Sequence, residues 1–167
     1  MIRMDIQTIV VGGGPVTSLI VLRTRLPYKN EAEVQLPIRI GPVEAMAISM
    51  GVDESAHGRP ITHDLLSSTI ESLGATLDSV DIVDVHGPTF FAELELTRAD
   101  GTKVRIDARP SDAIALAVRT NAPIFAEERV LDAATLPDFK NVENDEKQHQ
   151  IEEFHEFVET LSPDDFS

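Results

Sequence analysis

One nine-residue pattern occurs twice along the chain, and each copy begins where a β-strand is predicted to end. Residues 42–50 read Pro-Val-Glu-Ala-Met-Ala-Ile-Ser-Met, and residues 110–118 read Pro-Ser-Asp-Ala-Ile-Ala-Leu-Ala-Val, so the two align without a gap. Proline at the first helical position, followed by an acid in the first turn, is typical of a helix start. The repeat therefore predicts an internal duplication of a strand-strand-helix module. Because both helices are apolar on nearly every side, we expect both to be buried.

Segments rich in β-branched residues precede each copy and predict β-strands. A further helix is expected at residues 63–73, capped by Thr62 and ended by Gly74, and a last strand at residues 123–126. The expected architecture is α+β, a mixed and largely antiparallel sheet with packed helices. The predicted strands of the two modules are residues 5–11, 16–25 and 34–40, then residues 78–85, 89–96 and 102–107.

The charge is unevenly distributed and divides the chain into two parts. The net charge is −15, and residues 138–167 contribute −8 of it, from ten acidic and two basic residues. We expect one domain over residues 1–137, followed by an acidic linker and a C-terminal amphipathic helix within residues 138–167. Such a surface repels phosphate backbones at long range, which argues against sequence-independent nucleic-acid binding by a basic face, so any nucleic-acid activity would need a local site.

The chain contains no cysteine, which excludes disulfides, thiolate zinc sites and a cysteine nucleophile. Its first residues lack the pattern of a signal peptide, and no apolar run is long enough to span a membrane. We therefore predict a cytoplasmic protein that does not associate with membranes.

Two polar segments could carry chemistry. The first, residues 58–65, places Arg59, Thr62, His63 and Asp64 around one helix start. A guanidinium, an imidazole and a carboxylate together can bind an anion, ligate a divalent cation or supply a general base. The structural alternative is a capped helix with a solvated histidine.

The second polar segment, residues 107–112, combines Asp107, Arg109, Ser111 and Asp112. Oxygen ligands at this spacing suit Mg²⁺ or Mn²⁺ better than zinc. Glu44 occupies the same place in the first helix as Asp112 in the second, so a pseudo-twofold arrangement could direct both carboxylates toward one groove. The alternative is that each carboxylate complements the positive end of its own helix, or that Arg109 forms salt bridges with Asp112 or Glu44.

Four segments, in order, resemble the bifunctional nuclease domain family. The resemblance covers about residues 5–137. It implies an α+β domain, often dimeric, with members described as degrading both DNA and RNA. Arg39 and Phe91 stand where the family commonly has Trp and Tyr. The four segments are residues 36–45 (Leu-Pro-Ile-Arg-Ile-Gly-Pro-Val-Glu-Ala), 59–65 (Arg-Pro-Ile-Thr-His-Asp-Leu), 87–92 (Gly-Pro-Thr-Phe-Phe-Ala) and 107–117 (Asp-Ala-Arg-Pro-Ser-Asp-Ala-Ile-Ala-Leu-Ala).

The leading hypothesis is a nuclease assisted by Mg²⁺ or Mn²⁺, with no organic cofactor, that acts on nucleic acid as a homodimer or higher homo-oligomer. Its rivals are a non-catalytic regulatory or ligand-binding module that uses the same groove, and an Arg–carboxylate network that only locks the two halves together. The predicted catalytic residues are Glu44, His63, Asp64 and Asp112, the phosphate-binding residues are Arg59, Thr62, Arg109 and Ser111, and the metal ligands are Glu44, Asp107 and Asp112.

Overall fold

The computed structural model describes residues 1–13, 16–29, 33–52 and 58–134. The predicted domain boundary at residue 137 and the predicted linker and helix in residues 138–167 lie outside these ranges. Within the described part, no helix is both long and apolar enough to cross a membrane.

A single sheet organises the described residues. Its order is β3-β2-β1-β7-β4-β5-β6, so two antiparallel meanders flank one short central strand. This central strand, β7, pairs antiparallel with β1 and parallel with β4. The predicted α+β class with a mixed, largely antiparallel sheet is confirmed, whereas the internal duplication remains a prediction. The strands are β1 (Ile2–Val10), β2 (Ser18–Thr24), β3 (Gln35–Ile40), β4 (Thr76–His86), β5 (Thr89–Thr97), β6 (Lys103–Ala108) and β7 (Ile124–Ala126).

Helix α3 lies at the centre of the helical layer. Its residues Ala113 to Ala117 are all buried, and both α1 and α2 pack against it. Small alanine side chains permit this close packing on several sides. The helices are α1 (Pro42–Val52), α2 (Thr62–Ser72), α3 (Pro110–Thr120) and α4 (Glu128–Ala134).

The expected burial of both Ala-rich helices is right for α3 and wrong for α1. Helix α1 buries Ala45 and Ile48, but Val43 and Met46 are 76% and 56% exposed. Helix α1 is only partly buried because it packs against α3 on one side, and its opposite side, with Val43 and Met46, is exposed.

The ends of α2 differ in how well the sequence predicts them. Thr62 is not the N-cap. Ile61 occupies that position, and its backbone N–H donates to Asp64 Oδ2 at 2.9 Å. Gly74 does end the helix, with φ at +74°, and the next N–H, that of Ala75, donates to the Ile70 carbonyl at 3.1 Å. This is the left-handed glycine termination expected from the sequence.

Candidate active site at the start of helix α3

Arg109 joins the first turns of the two Pro-headed helices. Its Nε donates to Asp112 Oδ2 at 2.8 Å, and its Nη1 donates to Glu44 Oε1 at 3.3 Å. Glu44 and Asp112 lie in the first turns of α1 and α3. The structure therefore brings the two equivalent carboxylates to one guanidinium, and their chemical roles remain predictions.

The local sequence places these groups. Arg109 precedes Pro110, which disfavours helical backbone, and it adopts the extended conformation at the N-cap of α3. Gly41 has a matching role before α1, because a Cβ there would lie 2.1 Å from Glu44 Oε2. The missing side chain leaves room for the Glu44 carboxylate to lie back toward Arg109.

His63 extends this arrangement from α2. Its Nε2 lies 3.1 Å from Asp112 Oδ1, and its side chain is 13% exposed. Burial alone would raise the pKa of the Asp112 carboxyl, but the hydrogen bonds from Arg109 and His63 outweigh burial and lower that pKa. Asp112 is therefore ionised at neutral pH and can only accept, so Nε2 of His63 donates in this hydrogen bond. We call Glu44, His63, Arg109 and Asp112 the Arg109 cluster.

A cavity of about 280 Å³ opens beside part of this cluster. Glu44 and Arg109 lie on its wall, whereas His63 and Asp112 are not among its lining residues. Arg109 is 66% exposed in its side chain and Glu44 26%. The cavity lining thus includes two guanidiniums, those of Arg39 and Arg109, and one carboxylate, that of Glu44. Its other polar lining residues include Thr89 and the predicted phosphate ligand Ser111.

The remaining predicted residues in α2 and in the segment before it lie away from this cavity. Asp64 accepts from Arg119 Nε at 2.6 Å, near the C-terminal end of α3. Thr62 is exposed at the start of α2, and Arg59 is exposed on the wall of a second cavity. The predicted phosphate-binding residues therefore divide between two places.

Two adjacent residues of α2 fix it across α3. His63 contacts Asp112 and Asp64 contacts Arg119, and those two partners are seven residues apart on α3. Seven residues are about two helical turns, so both partners face α2. Arg119 is not among the residues predicted from the sequence, although its seven-residue spacing from Asp112 is a signal for a second contact with α2.

The predicted metal ligands do not converge. Asp107 is exposed on β6 opposite Glu93, while Glu44 and Asp112 are held by Arg109. Among the described residues, no three His, Asp or Glu side chains are placed to hold a metal ion. As placed, these residues do not fit a cation held by the protein alone.

Comparison with known proteins identifies the family. The family model of the bifunctional nuclease domain matches residues 26–138. The chain belongs to this family. It is also similar to two uncharacterized proteins from two strains of Mycobacterium tuberculosis, each 42% identical over 139 residues, or 78% of this chain and 80% of the relative. The matched range contains the whole Arg109 cluster of this bifunctional nuclease domain protein.

Proposed function

We propose that this bifunctional nuclease domain protein hydrolyses phosphodiester bonds of DNA or RNA at the cavity beside the Arg109 cluster. Membership of the family supports nuclease-like activity. The observation that carries the choice of site is the exposed Arg109 guanidinium, held by two carboxylates on the wall of a cavity.

The exposure of Arg109 favours a ligand site over a structural lock. Ion pairs on an accessible surface add little to stability, because water screens them and ordering the side chains costs entropy. The side chain of Arg109 is 66% exposed, yet two hydrogen-bonded partners orient it. An oriented guanidinium with free edges can bind a phosphate through paired N–H groups.

Glu44 is the candidate general base, because it is the cluster's carboxylate on the cavity wall. It can take a proton from the attacking water as the water oxygen bonds to phosphorus and the bond from phosphorus to the leaving sugar oxygen breaks, while Arg109 offsets the charge that develops on the phosphate. The leaving oxygen takes a proton from solvent. His63 contacts Asp112, which in turn accepts from Arg109. Its role in this proposal is therefore to position Asp112 and, through it, Arg109.

Assistance of the reaction by Mg²⁺ or Mn²⁺ remains a prediction. Mg²⁺ often binds through one or two carboxylates together with substrate phosphates and water. A metal at Glu44 and Asp112 would have to compete with Arg109 for both carboxylates.

Assembly as a homodimer or higher homo-oligomer is also a proposal. The exposed Val43 and Met46 of α1 are apolar groups that a second copy could cover. Light scattering of wild type and Met46→Glu tests this, because the charge would shift the assembly toward the monomer. An unchanged mass would exclude this face as the contact.

A non-catalytic ligand-binding module is the second candidate. The net charge of −15 favours it, because the overall field opposes a polyanionic substrate. A module of this kind would bind small anions at the Arg109 cavity and cleave nothing.

One assay separates the two candidates. Purified protein is incubated with single- and double-stranded DNA and RNA in Mg²⁺, Mn²⁺ or EDTA, beside Glu44→Gln and Asp112→Asn purified identically. The nuclease proposal expects cleavage by wild type and losses of about 10²–10⁴-fold in Glu44→Gln. Cleavage that survives both substitutions would indicate a contaminating nuclease and refute the proposal.

A further inference from the structure

A second cavity lies at the other end of α3. Its volume is about 460 Å³, and it is bounded by the ends of α1 and α3, the segment before α2, and the first turns of α2. It shares no lining residue with the cavity beside Arg109. Its polar lining residues are Arg59, Asp64, Ser67, Ser68 and Arg119.

Arg119 is fixed on the wall of this cavity by two hydrogen bonds. Its side chain is 7% exposed, its Nε donates to Asp64 Oδ1 at 2.6 Å, and its Nη1 donates to the Ala115 carbonyl at 2.7 Å. Its Nη2 is buried and has no acceptor among the described residues. A buried donor without an acceptor is unfavourable, so a ligand oxygen that approaches this guanidinium would be stabilised.

The other polar groups of the cavity are mostly donors as well. Arg59 and Ser68 are exposed, and Ser67 is partly exposed. The carboxylate is already committed, since Asp64 accepts from Arg119 and from the N–H of Ile61. With two guanidiniums against one carboxylate, the lining carries net positive charge in a chain whose net charge is −15. The fitting ligand is therefore anionic and rich in acceptors.

We propose that this cavity is a second phosphate subsite for the strand whose scissile phosphate binds at Arg109, an inference that rests on the proposed nuclease function. Arg109 at the N-cap of α3 and Arg119 in its last turn are ten residues apart, or about 15 Å along the helix axis. A stacked strand advances about 3.4 Å per nucleotide, so about four nucleotides separate the two subsites. Oligonucleotides shorter than this reach only one subsite.

Oligonucleotide binding without turnover tests the subsite. Fluorescence anisotropy in EDTA measures the affinity of a single-stranded octanucleotide and a dinucleotide across a range of salt concentrations. Removing one phosphate contact lowers the slope of log K against log salt by about 0.7 for a single strand. We expect this change for Arg59→Gln with the octanucleotide, and no change for the control Arg98→Gln, which alters an exposed arginine on the wall of a different cavity.

NMR then locates the phosphate and distinguishes its source. Inorganic phosphate, a mononucleotide and the octanucleotide are titrated in turn while the amide signals of Ser67 and Ser68 are followed. The proposal expects the octanucleotide to shift both signals in wild type and much less in Arg59→Gln. Ser68→Ala, which leaves the Asp64–Arg119 pair intact, should also weaken the octanucleotide.

Two results would overturn the subsite. In the first, Arg59→Gln leaves the salt dependence of octanucleotide binding unchanged, while inorganic phosphate or the mononucleotide still shifts the amide signals of Ser67 and Ser68. That result would mean that the cavity binds small molecules and not the strand. The other is an absence of any shift at these amides. A wild-type protein that binds the octanucleotide in this way but cleaves nothing would refute the nuclease proposal and leave the subsite standing.

Discussion

Replacing Asp112 by Asn tests the hydrogen bonds that hold the Arg109 cluster together. The substitution keeps the shape but removes the charge, so one oxygen is lost as an acceptor for Arg109 or His63. Exchanging a charged for a neutral hydrogen-bond partner of His63, whose side chain is 13% exposed, costs about 1 kcal/mol. Losing a negative charge from the first turn of α3 costs about 0.3–1 kcal/mol more. The ion pair with the exposed Arg109 adds little to this loss of unfolding free energy, because water screens it.

We therefore expect Asp112→Asn to lower the free energy of unfolding by about 1–2 kcal/mol, measured by urea denaturation at pH 7. Glu128→Gln is the matched control, because Glu128 is an exposed acid in the first turn of α4. Its free energy of unfolding should fall by only about 0.3–1 kcal/mol, because the substitution removes only a negative charge near the positive end of α4. Equal losses in the two variants would show that the contacts of Asp112 add nothing, and this reasoning would fail.

Three further predictions follow from the same structure. Because the pKa of Asp112 is lowered in the folded protein, its ionised carboxylate contributes fully to the free energy of unfolding above the ordinary pKa of 3.8, and this contribution is lost as the pH falls through the lowered pKa. The difference in unfolding free energy between wild type and Asp112→Asn should therefore shrink in acid. A difference that grows in acid would contradict this prediction. Gly51→Ala would place a Cβ 2.6 Å from Val118 Cγ2 and 2.6 Å from Arg119 Nη1. Overpacking of about 1–3 kcal/mol should outweigh a helix-propensity gain of up to about 1 kcal/mol, giving a lower melting temperature. Leu131→Ala should cost about 2–5 kcal/mol, because Leu131 is fully buried, and a near-neutral result would mean that α4 is not part of the core.

Much of the fold follows from local patterns in the sequence. The six strands of the two meanders and the Pro-headed helices are predicted, because β-branched alternation, turn glycines and Pro-acid helix starts are short-range signals. Helix α4 and the central position of β7 are not predicted. Strand β7 has three residues, and its pairing with both β1 and β4 is a long-range contact that no local pattern encodes.

The candidate site shows the same limit. The sequence predicts that Glu44 and Asp112 occupy equivalent places, and the repeat alone suggests that they could meet. It does not predict that Asp64 turns away to Arg119, because that depends on how α2 crosses α3. Likewise, Asp107 and Asp112 are predicted to act together because they are close in sequence. In the structure, Asp107 is exposed on the edge strand β6 and does not join Asp112.

The cleavage rate of Arg109→Gln, measured under single-turnover conditions, tests the central claim most directly. Removing a preorganised group that stabilises the transition state typically costs about 10²–10³-fold in rate. We predict a loss of this size for Arg109→Gln, while Arg98→Gln, purified in the same way, retains the wild-type rate. An Arg109→Gln protein that is folded and cleaves at the wild-type rate would contradict the placement of the active site at the Arg109 cluster.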